Sequence, residues 1–254
     1  MRVVGLLPGL PYIRSPSTTI AILFSNDSAG RTVSIRRPQR SAPPPEALDH
    51  LRRADPVLDA AMDAVGPIEL AVEPDVWWGL VDSIISQQVS VHAARAIIGR
   101  VAALGAGGRP TPAEVAAMSD DVLRAAGLSR AKVRYVKDLA ARWLDGSLRH
   151  RELAAMSDAE VIAELTRVKG VGVWTAELIL IFTLNRPDVL PVDDLGVRVA
   201  VQRLYGLAER PGRDELLRIA EPWRPWRSLA SRYLWRVASA TPAVAPPAVT
   251  GATE

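Results

Sequence analysis

The sequence predicts an all-α fold, and three observations carry that expectation. Apolar residues recur at three- and four-residue spacing, as in Trp77, Leu80, Val81, Ile84 and Ile85, which marks one buried helix face. Helix start and stop signals repeat along the chain, and no alternating strand pattern competes with them. About ten helices joined by short connections are expected between roughly residues 47 and 240.

The elements follow in chain order. Residues 1–45 mix Pro, Ser and Arg around one short apolar patch, Ile20 to Phe24, and end on Pro43-Pro44-Pro45. They read as a disordered or wrongly assigned extension; Pro8, Pro11 and the lack of a small-residue pattern after Phe24 argue against a secretory signal. The helical domain is expected over 46–240. Within it Thr111-Pro112-Ala113-Glu114 is a capping box with Pro at the first helical position, so a helix starts there. Gly127 is placed to stop a helix and Ser129 to cap the next, where Arg130 and Lys132 are candidates for phosphate contact or for a solvated face. Gly146 and Gly206 are further stops, and Ser157-Asp158-Ala159-Glu160 is a second capping box. The Ala, Pro, Val and Thr of residues 241–254 show no periodicity and are expected to form a disordered tail.

Composition sets bounds on function. With 254 residues, 48% hydrophobic and 23% charged, the chain can bury a sizeable core. A net charge of +3 and a pI near 9.6 lean weakly towards a polyanionic partner. Zero cysteines exclude disulfides, thiolate zinc sites and cysteine-ligated iron–sulfur clusters, and His50, His92 and His150 lack metal-ligand spacing. The apolar stretch Leu178 to Leu184 is far shorter than the roughly 20 residues of a membrane span, so a cytoplasmic protein is expected.

The most informative stretch is Leu165-Thr166-Arg167-Val168-Lys169-Gly170-Val171-Gly172-Val173-Trp174-Thr175-Ala176. One helix ends in a Gly-x-Gly turn and another begins at once. Glycines permit positive φ and close backbone approach, and the amides of the following helix N-terminus are free to meet an anion such as a DNA phosphate. A plain glycine-capped turn would look the same. Asp193 lies 21 positions beyond Gly172, in Leu190-Pro191-Val192-Asp193-Asp194-Leu195-Gly196. Either aspartate can cap the helix expected from Leu195 to Tyr205, and a carboxylate there can also face the sugar of a nucleotide, where glycosidic cleavage needs negative charge.

These residues resemble the helix-hairpin-helix (HhH-GPD) DNA glycosylase superfamily, whose signature is this hairpin followed by a loop with a catalytic aspartate. Within it the resemblance is closest to the bacterial 3-methyladenine DNA glycosylase II branch. It is carried by Val171-Gly172-Val173-Trp174-Thr175-Ala176, by Pro191-Val192-Asp193-Asp194, and by Trp223-Arg224-Pro225-Trp226-Arg227-Ser228 continuing to Leu234-Trp235. It covers about residues 50 to 240, from Asp55-Pro56-Val57-Leu58 onwards, and includes Ile84-Ile85-Ser86-Gln87-Gln88-Val89-Ser90.

The resemblance implies a two-lobed helical fold and removal of alkylated purines from double-stranded DNA by a monomer, with no cofactor required and no membrane partner. Its register, with Arg198 and Val199 five and six beyond, selects Asp193 as the catalytic carboxylate and leaves Asp194 as the helix cap. Strand-cutting relatives carry a lysine where Trp174 stands, so hydrolysis alone is implied; Lys169 precedes the glycines and is not that nucleophile. Trp174 and Trp235 match aromatic pocket positions suited to a cationic base, although Leu178 stands where some relatives have a pocket tyrosine. DNA-contacting residues implied are Gln87, Gln88, Lys169, Gly170, Gly172 and Thr175, with Gln88 the wedge that fills the gap left by a flipped nucleotide. Some relatives hold an alkali cation in the hairpin carbonyls. The other tryptophans, Trp77, Trp78, Trp143, Trp223 and Trp226, read as packing. Alternatives sharing the hairpin are a glycosylase for uracil, hypoxanthine or mismatched bases, and a DNA-binding protein without catalysis.

Overall fold

The computed structural model describes residues 38–239. Among them are twelve α-helices: α1 (Pro45–Ala54), α2 (Pro56–Val65), α3 (Val76–Ser86), α4 (Val91–Ala102), α5 (Pro112–Ala117), α6 (Asp120–Ala125), α7 (Arg130–Leu144), α8 (Asp158–Leu165), α9 (Val173–Phe182), α10 (Leu195–Leu204), α11 (Arg213–Ala220) and α12 (Arg227–Ser239). A 3-10 turn spans Glu221–Trp223. Two three-residue strands, β1 (Gln39–Ser41) and β2 (Leu70–Val72), pair antiparallel with Gln39 opposite Val72. Strands this short carry too little alternation to be read from sequence. The tail expected over 241–254 lies outside the described residues. So does most of the extension expected over 1–45, but its end, from residue 38, supplies β1 and Pro44, the N-cap residue of α1.

The local signals act as their chemistry dictates. Both capping boxes form, Thr111 with Glu114 and Ser157 with Glu160, each side chain satisfying the other's backbone amide. Gly127, Gly146 and Gly206 follow α6, α7 and α10 at φ of 105°, 75° and 63°, the left-handed geometry that ends helices. The helix started by Thr111 stops at Ala117, and Ser119 caps a fresh one by accepting from the Val122 amide at 3.4 Å.

The helices enclose two cores. Helices α3 to α9 surround Leu80, Ile84, Leu123, Leu139, Leu165 and Ile179. Helices α1, α2, α10, α11 and α12 with the 3-10 turn surround Leu51, Leu58, Val201, Leu216, Trp223 and Leu234. Each such fully buried side chain contributes about 1.5–3 kcal/mol of hydrophobic stabilisation. Trp235 packs against both clusters, and the loop between α9 and α10 carries the chain from one lobe to the other. Trp77, Trp78 and Trp223 are buried and Trp143 is partly buried against the first core, in keeping with packing roles.

Two polar clusters set the geometry of the second lobe. Asp55, buried, caps α2 through the Val57 and Leu58 amides, and its other carboxylate oxygen accepts from Tyr205 Oη and, at 2.7 Å, from Trp223 Nε1. Asp55→Asn would keep the cap but turn an amide donor towards the buried Trp223 N–H. Urea unfolding should show a loss of about 2 kcal/mol, the cost of one buried unpaired donor. The Trp223–Ser228 stretch clamps the loop that leads to the two aspartates. Arg227 Nε and Arg224 Nη1 both reach Asp188 at 2.6 Å, and the Val189 amide donates to Ser228 Oγ at 2.9 Å. Paired Arg–carboxylate bonds of this kind fix orientation as well as distance.

Candidate active site and nucleic-acid interface

The hairpin is built from the turn between α8 and α9. Gly170 sits at φ 79°, and a Cβ there would collide with the Tyr135 ring, so the fold itself requires glycine. Gly172 differs from the expectation of a second unusual backbone position. Its φ is −96°, which any residue adopts, and nothing lies within 4 Å of where its Cβ would be. Gly172 is the N-cap of α9 and offers no side chain, so the first amides of α9 keep their hydrogens for an outside acceptor. Lys169 turns its amide to Asp138 Oδ2 at 2.9 Å, while its exposed ammonium stands 3.5 Å from Asp138 Oδ1. Burial pushes the Asp138 carboxyl up, but the Lys169 amide and Arg142 outweigh it and hold it below its ordinary pKa.

The turn between α3 and α4 is braced against this hairpin. Gln87 Nε2 donates to the Gly170 carbonyl at 2.9 Å and to Thr175 Oγ1 at 3.2 Å. Lys132 Nζ, on α7, donates at 2.7 Å to the carbonyls of both Ile85 and Gln87. Lys132 is therefore an internal strut rather than a phosphate contact, and Gln87 and the buried Thr175 are struts too, pointed at the protein rather than outward. Gln88, by contrast, is exposed and held at φ 54°. Positive φ in a residue that is not glycine costs energy that a braced turn can sustain.

The carboxylates are placed differently from the register read in the sequence. Asp193 points outward, its side chain 66% exposed and 3.4 Å from Arg213 Nη1. Asp194 is 7% exposed. It caps α10 through the Val197 amide at 2.8 Å, as expected, but the same carboxylate also takes the indole N–H of Trp174 on Oδ2 at 2.7 Å and that of Trp235 on Oδ1 at 2.9 Å. The aspartate joined to both expected pocket tryptophans is thus Asp194, whereas Asp193, the one the register selects, meets neither indole among the described contacts. The reason is local. Once Asp194 caps α10 its side chain is turned inward to the lobe boundary, and the neighbouring residue must face the other way.

The tryptophans are fixed from behind. Trp235 stacks on Phe182 with centroids 5.3 Å apart, and the Arg232 guanidinium covers the Phe182 ring at 4.4 Å. Burial lowers the Arg232 pKa to about 10, and its Nη2 donates to the Ile181 carbonyl at 2.9 Å. Trp174 remains 36% exposed at the mouth, beside exposed Val173 and Leu195, while Leu178 is half-buried. Sequence reasoning did not find Phe182, Arg213 or Glu177. Glu177 had a signal: it is the one charged residue in α9, whose other side chains are apolar apart from Thr175.

Among the described residues no group of His, Cys, Asp or Glu could hold a metal ion. An alkali cation in the hairpin would need carbonyl oxygens. Those of Gly170 and Val168 already accept Gln87 Nε2 and the Val171 amide, whereas among the described residues those of Lys169 and Val171 accept no hydrogen bond. No described helix is long and apolar enough to cross a membrane.

Comparison with known proteins adds independent findings. Residues 81–225 match the model of the HhH-GPD superfamily of base excision DNA repair proteins. DNA-3-methyladenine glycosylase 1 of Schizosaccharomyces pombe is 38% identical over 159 residues, 62% of this chain and 70% of that protein. Among solved structures, the S. pombe 3-methyladenine DNA glycosylase in complex with abasic DNA superposes with a TM-score of 0.70 at 34% identity, over 75% of this chain and 95% of that one. A DNA-3-methyladenine glycosidase from Bacillus halodurans gives a TM-score of 0.69 at 34% identity, over 79% and 93% of the two chains.

Proposed function

The chain belongs to the HhH-GPD superfamily of base excision DNA repair proteins, and we propose that it hydrolyses the N-glycosidic bond of alkylated purines in duplex DNA and leaves the strand intact. It is a DNA glycosylase of base excision repair. The observation that carries this reading is the buried Asp194 carboxylate held between two indoles at the boundary of the lobes.

The target base sits inside the duplex stack, so the nucleotide rotates out, at a cost of a few kcal/mol that a damaged base partly spares. Gln88, exposed on its braced turn, is placed to fill the gap, and the α9 amides beyond Gly172 to grip a phosphate. Trp174 and Trp235 offer π-faces to a base made cationic by alkylation, each worth about 0.5–2 kcal/mol. As the bond to the base lengthens, positive charge develops on the sugar. A carboxylate whose direction is fixed by three N–H donors stabilises that charge without reorganising, and helps orient the attacking water.

Trp174 has no amine, so no Schiff base forms and the product is an intact abasic strand. The test is a set of duplex oligonucleotides, each with one defined lesion. Release of 7-methylguanine and 3-methyladenine is expected, with strand breaks only after alkali or heat. Strand cleavage by the protein alone would overturn the hydrolytic reading, and binding without release of any base would overturn the alkylpurine reading.

A further inference from the structure

Glu177 lies one turn beyond Trp174 on the same face of α9, and its residue surface is only 8% exposed. Among the described residues it makes no hydrogen bond and no ion pair, and its carboxyl oxygens keep contact with solvent. A largely buried carboxyl with only solvent for a partner is costly, and an amide or an apolar side chain would serve packing better. The charged groups that act on it are Asp193, Arg213 and Asp194, so its carboxyl lies within electrostatic reach of both aspartates and of the α11 guanidinium. The helices packed on α9 turn their acids elsewhere: Asp82 of α3 accepts from the Ser86 hydroxyl, and Glu164 of α8 accepts from Arg149 and Arg167. Burial first, and then Asp193, push the Glu177 pKa up to about 7 against the pull of Arg213. Near neutrality one carboxyl of the site therefore holds a proton while Asp194 is committed to three N–H donors. Separating two carboxyls in this way is how one site supplies both an acid and a charge stabiliser.

We propose that Glu177 is the proton donor for departing bases that carry no charge of their own. The assignment rests on the glycosylase reading above. An alkylated purine is already cationic and leaves as a neutral molecule when the electron pair of the C1′–N bond moves onto its ring. An uncharged purine would leave as an anion. With Glu177, its proton passes to a ring nitrogen as that bond breaks, the base leaves neutral, and Glu177 becomes a carboxylate. Water adds to C1′, its proton is released, and Glu177 takes one back from solvent, so the sum is hydrolysis.

The test compares release of hypoxanthine, an uncharged purine, with release of 7-methylguanine from otherwise identical duplexes, in single turnovers across neutral pH. Because the donor must be protonated, hypoxanthine release by the native protein should hold below about pH 7 and fall tenfold per unit above it, whereas 7-methylguanine release should lack that limb. Glu177→Gln should lower hypoxanthine release about 10²-fold further than 7-methylguanine release, and should remove the limb. Its remaining 7-methylguanine release reports that the variant is folded. Equal losses on both bases, an unchanged limb, or no hypoxanthine release by the native protein at any pH would overturn the proposal. Failure of the native protein to release 7-methylguanine would instead overturn the glycosylase reading, together with what rests on it.

Discussion

Asp194→Asn should leave a folded protein that has lost base release by about three orders of magnitude, the scale on which a single oriented electrostatic group acts. Asparagine is as good a helix cap as aspartate, so the Val197 amide keeps its acceptor and the stability loss should be held to about 2 kcal/mol, that of one N–H left without its acceptor. The charge is lost, however, and an amide donor now faces the Trp174 N–H where Oδ2 stood. Asp193→Asn removes a carboxylate that is exposed and already paired with Arg213, in a setting where water and salt screen charge. That variant should stay within about tenfold of the native rate. Single-turnover release of 7-methylguanine, with thermal unfolding as the control for folding, measures both. The opposite ranking would restore Asp193 to the role that the sequence register gave it.

Gly170→Ala should be among the most damaging single-methyl additions in the chain. Its backbone is left-handed at φ 79°, which costs an L-residue about 1–2 kcal/mol. The new methyl group would also enter the Tyr135 ring, and overpacking of that kind typically costs about 1–3 kcal/mol. Together these amount to about 3 kcal/mol, or roughly 6–12 °C in Tm for a domain of this size. Gly172→Ala is the matched control. With an ordinary φ and open space around the added methyl, its Tm should move by no more than about 2 °C, while affinity for duplex DNA falls because the methyl stands on the surface that meets the phosphate. Equal Tm losses in the two variants would refute the distinction between a glycine the fold needs and one the surface needs.

Much of the fold was legible because it is written in local signals. Capping boxes, helix-ending glycines and apolar spacing act within a turn or two, so Thr111, Ser157, Gly127 and Gly146 could be read one at a time. Short-range signals fail where a segment is too short to show a period, as in β1 and β2, or where a second cap interrupts a helix, as Ser119 does. The site was legible as a set of residue types: a hairpin, a pair of aspartates and the tryptophans Trp174 and Trp235. Its wiring was not. Gln87 and Lys132 have side chains suited equally to DNA and to backbone carbonyls, and only their positions opposite Gly170, Ile85 and Gln87 decide between these.

The sequence by itself therefore determined the helical class, the Gly-x-Gly hairpin between two helices, and a site with neither a thiolate nor a lysine in the place of Trp174. Those conclusions depend on which residues are present and on spacings within one or two elements. The tertiary structure decided which aspartate meets the indoles, that Gly172 serves the surface rather than the turn, and that Glu177 is buried beside the two aspartates. These depend on the angle at which α9, α10 and α12 meet across the boundary of the two cores. Adjacent residues such as Asp193 and Asp194 are equivalent in a sequence, but a helix cap turns one inward and leaves the other in water.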